Sequence, residues 1–165
     1  MTLAEAAAQA DTLAEQGKER ELADLRREWE DEVEAAARSA DYRERAVAYR
    51  ALGQFRFRQK IELLGRGLDD ESPACRGSAL ISLESLSRDA PGAVNSQRSV
   101  LHRLATTDDN QAVRRLAIVS LRNGSAHRDT IVLLERLGED DRLERELRET
   151  ATKVAAGLKK KGRAG

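Results

Sequence analysis

The sequence predicts an all-α protein, a stack of about four helix pairs with an additional helix at the N terminus. Recurrence is the first observation behind this. Arg45/Ala48/Leu52, Arg76/Ala79/Leu83, Arg114/Ala117/Leu121 and, more weakly, Arg148/Ala151/Ala155 all read Arg-x-x-Ala-x-x-x-apolar, with the arginines 31, 38 and 34 residues apart. That period is the length of two short helices plus two turns, the signature of a solenoid whose units cannot bury their apolar faces alone. Composition is the second. Among 165 residues 35% are charged, 3% are aromatic and two are proline, and no run of alternating β-branched residues occurs anywhere. Such a mixture favours helices over strands.

Taken in order, Thr2 is placed to cap a helix whose stripe is Leu3, Ala6, Ala7, Ala10, Leu13 and Ala14, with Gly17 as its stop. From about Lys18 to Ala37 apolar residues fall at Leu22, Leu25, Trp29, Val33 and Ala36, steps of three and four that draw one helical stripe. The opposite face is acidic. Residues 1–38 hold eleven acidic and five basic side chains, which suits a polar cap on a repeat array. A third helix, about Tyr42 to Leu52, is expected to end at Gly53. Phe57 to Leu68 reads as the next, with Ile61, Leu64 and Leu68 inward.

Asp69, Asp70 and Glu71 make a turn, and Ser72-Pro73 supplies a cap with proline at the first helical position of a helix running to about Leu86. A loop through Asp89, Pro91, Gly92 and Asn95 closes that unit. The scheme then repeats. A helix around Val100, Leu101 and Leu104 leads to the turn Asp108-Asp109 and a helix from Ala112 to Arg122, stopped by Asn123-Gly124. Ile131, Leu134 and Leu137 mark one more helix, Asp140-Asp141 the turn, and Leu143, Leu147, Ala151, Val154 and Leu158 the last. The organisation is therefore acidic capping helices over 1–38, repeats over 39–158 and a flexible basic tail over 159–165.

Formal net charge is zero, so the chain as a whole has no electrostatic reason to seek nucleic acid or an anionic membrane. Met1 to Ala10 has neither a basic stretch nor an apolar core of a secretion signal, and no apolar run approaches the roughly 20 residues of a membrane span. A cytoplasmic protein is expected. The single cysteine, Cys75, excludes an internal disulfide and occupies the repeat column of Val113, where a small buried hydrophobe belongs.

The repeats Asp70-x4-Cys75-Arg76-x2-Ala79-x3-Leu83 and Asp108-x4-Val113-Arg114-x2-Ala117-x3-Leu121 resemble HEAT repeats, in particular the short-period type of phycobilisome-lyase-like proteins. The resemblance covers about residues 40–158. It implies a right-handed α-α superhelix in which the Asp and Arg columns, Asp70, Arg76, Asp108 and Arg114, form a ladder stitching neighbouring repeats. The first copy departs from the pattern by lacking the upstream Asp, and in the fourth the acids are displaced to Asp140 and Asp141. A charge-assisted hydrogen bond across stacked turns is the physical sense of such a ladder; the competing reading is a basic stripe for phosphates.

Catalysis would require a cluster of titratable groups, and the inventory is thin. His102 and His127 are each followed by Arg, so the His-Glu pairs of HEAT-like iron hydroxylases are missing. Trp29, the only tryptophan, sits at helical spacing from Leu25 and Val33 and reads as packing rather than a platform for an extruded base. The paired acids at each inter-helix turn read as helix caps rather than metal ligands. No catalytic, cofactor-binding or metal-ligating residue is expected.

In HEAT arrays the second helices line the concave face, which places recognition at variable positions beside the Arg column. These include Arg50, Ile81, Val119 and Lys153 five residues after it, Arg115 one after, and Glu84 and Arg122 eight after. The columns are mixed in sign and partly apolar, whereas a nucleic-acid groove should show a Lys/Arg track interleaved with aromatics. The expected function is a non-enzymatic scaffold or adaptor binding a protein partner. The alternative is an RNA-, DNA- or ribosome-associated factor using the Lys159-Lys160-Lys161-Gly-Arg163 tail with the concave arginines.

Overall fold

A computed structural model describes residues 1–164 and contains ten helices and no strand among them. They are α1 (Leu3–Glu15), α2 (Glu19–Ala37), α3 (Tyr42–Gln54), α4 (Ile61–Leu68), α5 (Pro73–Ser87), α6 (Pro91–Asn95), α7 (Arg98–Thr107), α8 (Gln111–Leu121), α9 (Arg128–Glu139) and α10 (Arg145–Ala164). No helix among the described residues is long and apolar enough to cross a membrane. The chain divides into two compact units, Met1–Leu86 and the residues from Ser87 on.

In the first unit α1 is fixed by a capping box, Thr2 Oγ1 accepting the Glu5 amide while the Glu5 carboxylate accepts that of Thr2. Its buried face is Ala6, Ala7, Ala10 and Leu13, mostly small side chains that let α2 and α3 approach closely. Gly17, at φ +70°, reverses the chain in a conformation that costs other residues more. On α2, Leu22, Val33 and Ala37 are buried. Trp29 is half-buried, and its indole nitrogen is enclosed with no hydrogen-bond partner among the described residues.

Asp41 caps α3 by accepting the Arg43 amide at 2.9 Å. This helix does not stop at Gly53 but runs through it to Gln54. Gly53 is a contact residue: a Cβ built there would lie 2.8 Å from the Ser82 Cα, and its N–H donates to Ser82 Oγ at 3.0 Å. Ser82 in turn donates to the Tyr49 and Arg50 carbonyls. A hydroxyl thus closes three main-chain groups at the α3/α5 crossing, where no larger residue fits at 53.

The segment expected to open the next helix at Phe57 is irregular as far as Lys60. Arg56 holds a left-handed conformation (φ 60°), Phe55 and Phe57 are buried with ring centroids 5.4 Å apart, and α4 begins at Ile61. Side chains impose this local shape. Arg56 donates to the Gly53 and Gln54 carbonyls and to Asp11 of α1, Arg26 of α2 donates to the Phe55 carbonyl, and the Lys60 ammonium lies 2.8 Å from Glu30 and 2.5 Å from Glu34. Burial alone would lower the Lys60 pKa, but the hydrogen bonds and charges of the two carboxylates outweigh it and hold the value above normal.

In the second unit Pro91 opens a short helix, α6, within the stretch expected to be a loop. Asn110, not an aspartate, caps α8 by accepting the Val113 amide. His127 caps α9 through Nδ1. The segment expected as a flexible tail continues α10 as helix to Ala164. The Lys161 ammonium donates to the Arg122 and Gly124 carbonyls past the end of α8, and Lys159 pairs with Glu135 of α9. A cation near the C-terminal end of α10 thus donates to carbonyls just past α8 and ties the last turns to the body of the unit.

Candidate recognition surface

The recurring arginines share one local role. Arg45 donates to the carbonyls of Ser39 and Ala40, Arg76 to those of Asp70 and Glu71, Arg114 to that of Ala105, and Arg148 to that of Leu143. Each guanidinium therefore reaches back to the main chain before its own helix. The aspartates of the turns behave alike too. Oδ1 of Asp70, Asp108 and Asp140 accepts the amide two residues on, from Ser72, Asn110 and Arg142 respectively, so these acids make Asx turns rather than cap the following helix directly.

One pair crosses from one copy of the pattern to the next. Arg45 Nε donates to Asp70 Oδ2 at 2.9 Å and its Nη2 to Oδ1 at 3.1 Å, a fork-to-fork arrangement between side chains only 13% and 8% exposed. Burial pushes the Asp70 carboxyl up, but the Arg45 hydrogen bonds and charge with the Ser72 amide outweigh it and hold the pKa below normal. The Arg45 guanidinium is raised by the same Asp70 bond. Cys75 is fully buried, its Sγ 3.2 Å from the Tyr42 carbonyl, and burial leads the causes that raise its thiol pKa.

Of the remaining ladder positions, Arg114 is 8% exposed, and its Nε donates to Ala105 at 2.9 Å, closing the end of α7. Truncating a buried guanidinium that satisfies a helix-end carbonyl removes both packing and a charge-assisted bond. Arg114→Ala is expected to lower the melting temperature by roughly 5 °C while leaving binding at exposed α8 positions near wild type. Thermal unfolding monitored by circular dichroism, alongside a binding assay, reads both.

The positions expected to recognise a partner fall in both units. In the first, Arg50 lies half-buried on α3, Glu84 half-buried on α5, and Ile81 is 38% exposed on α5, one of few large apolar side chains so open. In the second, Arg115 is exposed on α8 and lies 3.3 Å from Glu146 of α10; Val119 is half-buried, and Arg122 and Lys153 are exposed.

Sequence reasoning centred on the second helix of each pair and passed over a groove between α7 and α9. His102 and Thr106 form one wall; Arg128, Asp129, Val132, Leu133, Arg136 and Leu137 form the other, around an open cavity of about 570 Å³. His102 Nε2 lies 2.8 Å from Oγ1 of the buried Thr130, and burial, then the charges of Arg98 and His127, lowers its pKa. The signal was present as Arg128, Val132 and Arg136 at four-residue steps. Among the described residues no group of three or more His, Cys, Asp and Glu side chains is placed to hold a metal ion. No protein-family model matches this chain, and no curated protein matches it.

Proposed function

We propose that the chain is a cytoplasmic, non-enzymatic adaptor built from HEAT-like helix pairs in a right-handed array, and that it binds another protein through the outward positions of its second helices. Ile81 carries the reading. This β-branched aliphatic side chain is 38% exposed on α5, three residues before Glu84 on the same helix and next to Ser82, which donates to the Arg50 carbonyl of α3. An open apolar side chain on a helix that also carries charge suits a protein interface. The four recurring arginines are engaged with main-chain carbonyls, which supports a fastening role and leaves recognition to the columns beside them.

The second reading, a nucleic-acid-associated factor, draws on the 16 basic against 11 acidic residues from Ser87 on. Against it, Lys159 is paired with Glu135 and Lys161 is spent on carbonyls. Affinity capture with the full chain separates the two. Capture that survives nuclease and about 0.5 M salt, and that drops about tenfold or more in Ile81→Asp with unchanged melting, supports protein binding. Capture lost to nuclease and salt but indifferent to Ile81→Asp sinks it.

A further inference from the structure

We propose that the α7/α9 groove receives α2 of a second copy of this chain, giving a head-to-tail, salt-sensitive self-association. The groove has an apolar floor, Val132 and Leu133, and a rim carrying Arg128 and Arg136. Both arginines are exposed, and neither takes part in an ion pair or side-chain hydrogen bond among the described residues. Asp129 is the acid on that rim. Eight residues of helix separate the two guanidiniums, about 12 Å of rise.

The complementary surface is on α2. Glu28, Asp31 and Glu32 are exposed on one face and likewise unpaired among the described residues, whereas Glu30 and Glu34, on another face, are engaged by Lys60. At spacings of three and four residues the three carboxylates occupy about 6 Å of helix, a length that fits between the two guanidiniums. Exposed Ala35, one turn on, and the glutamate methylenes would cover Val132 and Leu133.

Charge partition favours a copy of the same chain as occupant. Met1–Leu86 holds 18 acidic and 13 basic side chains, and the residues from Ser87 on hold 11 and 16. The excesses are equal and opposite. With net charge zero, no overall repulsion keeps copies apart while the acidic unit of one attracts the basic unit of another. Because donor and acceptor surfaces differ, each copy keeps one of each open, and the contact is heterologous.

Sedimentation velocity on the full chain tests this. At about 0.02 M salt the weight-average mass is expected to rise with protein concentration, and at about 0.5 M to return to one chain. Arg128→Glu with Arg136→Glu, and separately Glu28→Lys with Glu32→Lys, are each expected to weaken association by about tenfold or more, and an equimolar mixture of the two variants to restore it. A chain that stays monomeric at low salt overturns the proposal. So does association that the α2 reversal leaves intact, which would give the groove to a different segment, or a mixture that fails to restore the complex.

Discussion

Asp70→Ala is expected to lower the melting temperature of the first unit by roughly 5–10 °C. The substitution leaves the Arg45 guanidinium, 13% exposed, without the carboxylate that takes two of its hydrogen bonds, and it frees the Ser72 amide as well. Breaking one side of a sequestered pair costs far more than the pair itself contributes, because the remaining charge stays desolvated. Replacing both partners, Arg45→Met with Asp70→Leu, is therefore expected to recover much of the loss, a coupling that a double-mutant cycle by calorimetry measures.

The same pair fixes a sign in pH. The Asp70 carboxyl titrates lower in the folded chain than in the unfolded one, so its contribution is present above the ordinary carboxylate range and lost as pH falls through the depressed folded value. Asp70→Asn, which keeps an oxygen for the Ser72 amide, should flatten the acid limb of the stability profile below about pH 4.

Gly53→Ala is the second large effect, a loss of about 2 kcal/mol or more in chemical denaturation. The added methyl meets the Ser82 Cα at 2.8 Å, and main chain cannot swing aside as a side chain can. Helix α3 and helix α5 must separate, which also stretches the Gly53 amide bond to Ser82. Intrinsic helix preference runs the other way by roughly 1 kcal/mol, so the sign depends on the clash. Gly157→Ala on α10 is the control. It has nothing within 4 Å of its would-be Cβ, and is expected to stabilise by about 0.5–1 kcal/mol.

Gly53 also marks where reading the sequence reached its limit. Thr2 and Ser72-Pro73 announce helix starts through residues adjacent to them, and α1 and α5 begin beside them. A glycine after an apolar stripe reads as a stop by the same local logic, yet its meaning here comes from Ser82, 29 residues away. The delayed start of α4 has the same origin, since Phe57 belongs to a loop shaped by Asp11, Arg26, Glu30 and Glu34. Short-range chemistry was legible; the identity of the distant partner was not.

The candidate surface divides similarly. That Arg45, Arg76, Arg114 and Arg148 recur is visible in the chain, but their acceptors are main-chain carbonyls, which carry no letter in a sequence. Asp70 could be paired with any nearby arginine on spacing alone. Only the folded turn brings it to Arg45, 25 residues upstream.

The left-handed turn at Arg56 has a consequence for the order in which the chain acquires its shape. A non-glycine residue at φ 60° is held there by its own guanidinium, which needs Asp11, 45 residues earlier; Arg26, Glu30 and Glu34, which brace the same segment, also come earlier. During synthesis Asp11, Arg26, Glu30 and Glu34 leave the ribosome before the bend does, and Lys60, which closes the segment onto the two glutamates, follows it by four residues. The partners that α1 and α2 supply to the turn thus all precede it in the chain, and the last brace, Lys60, comes within one helical turn of it.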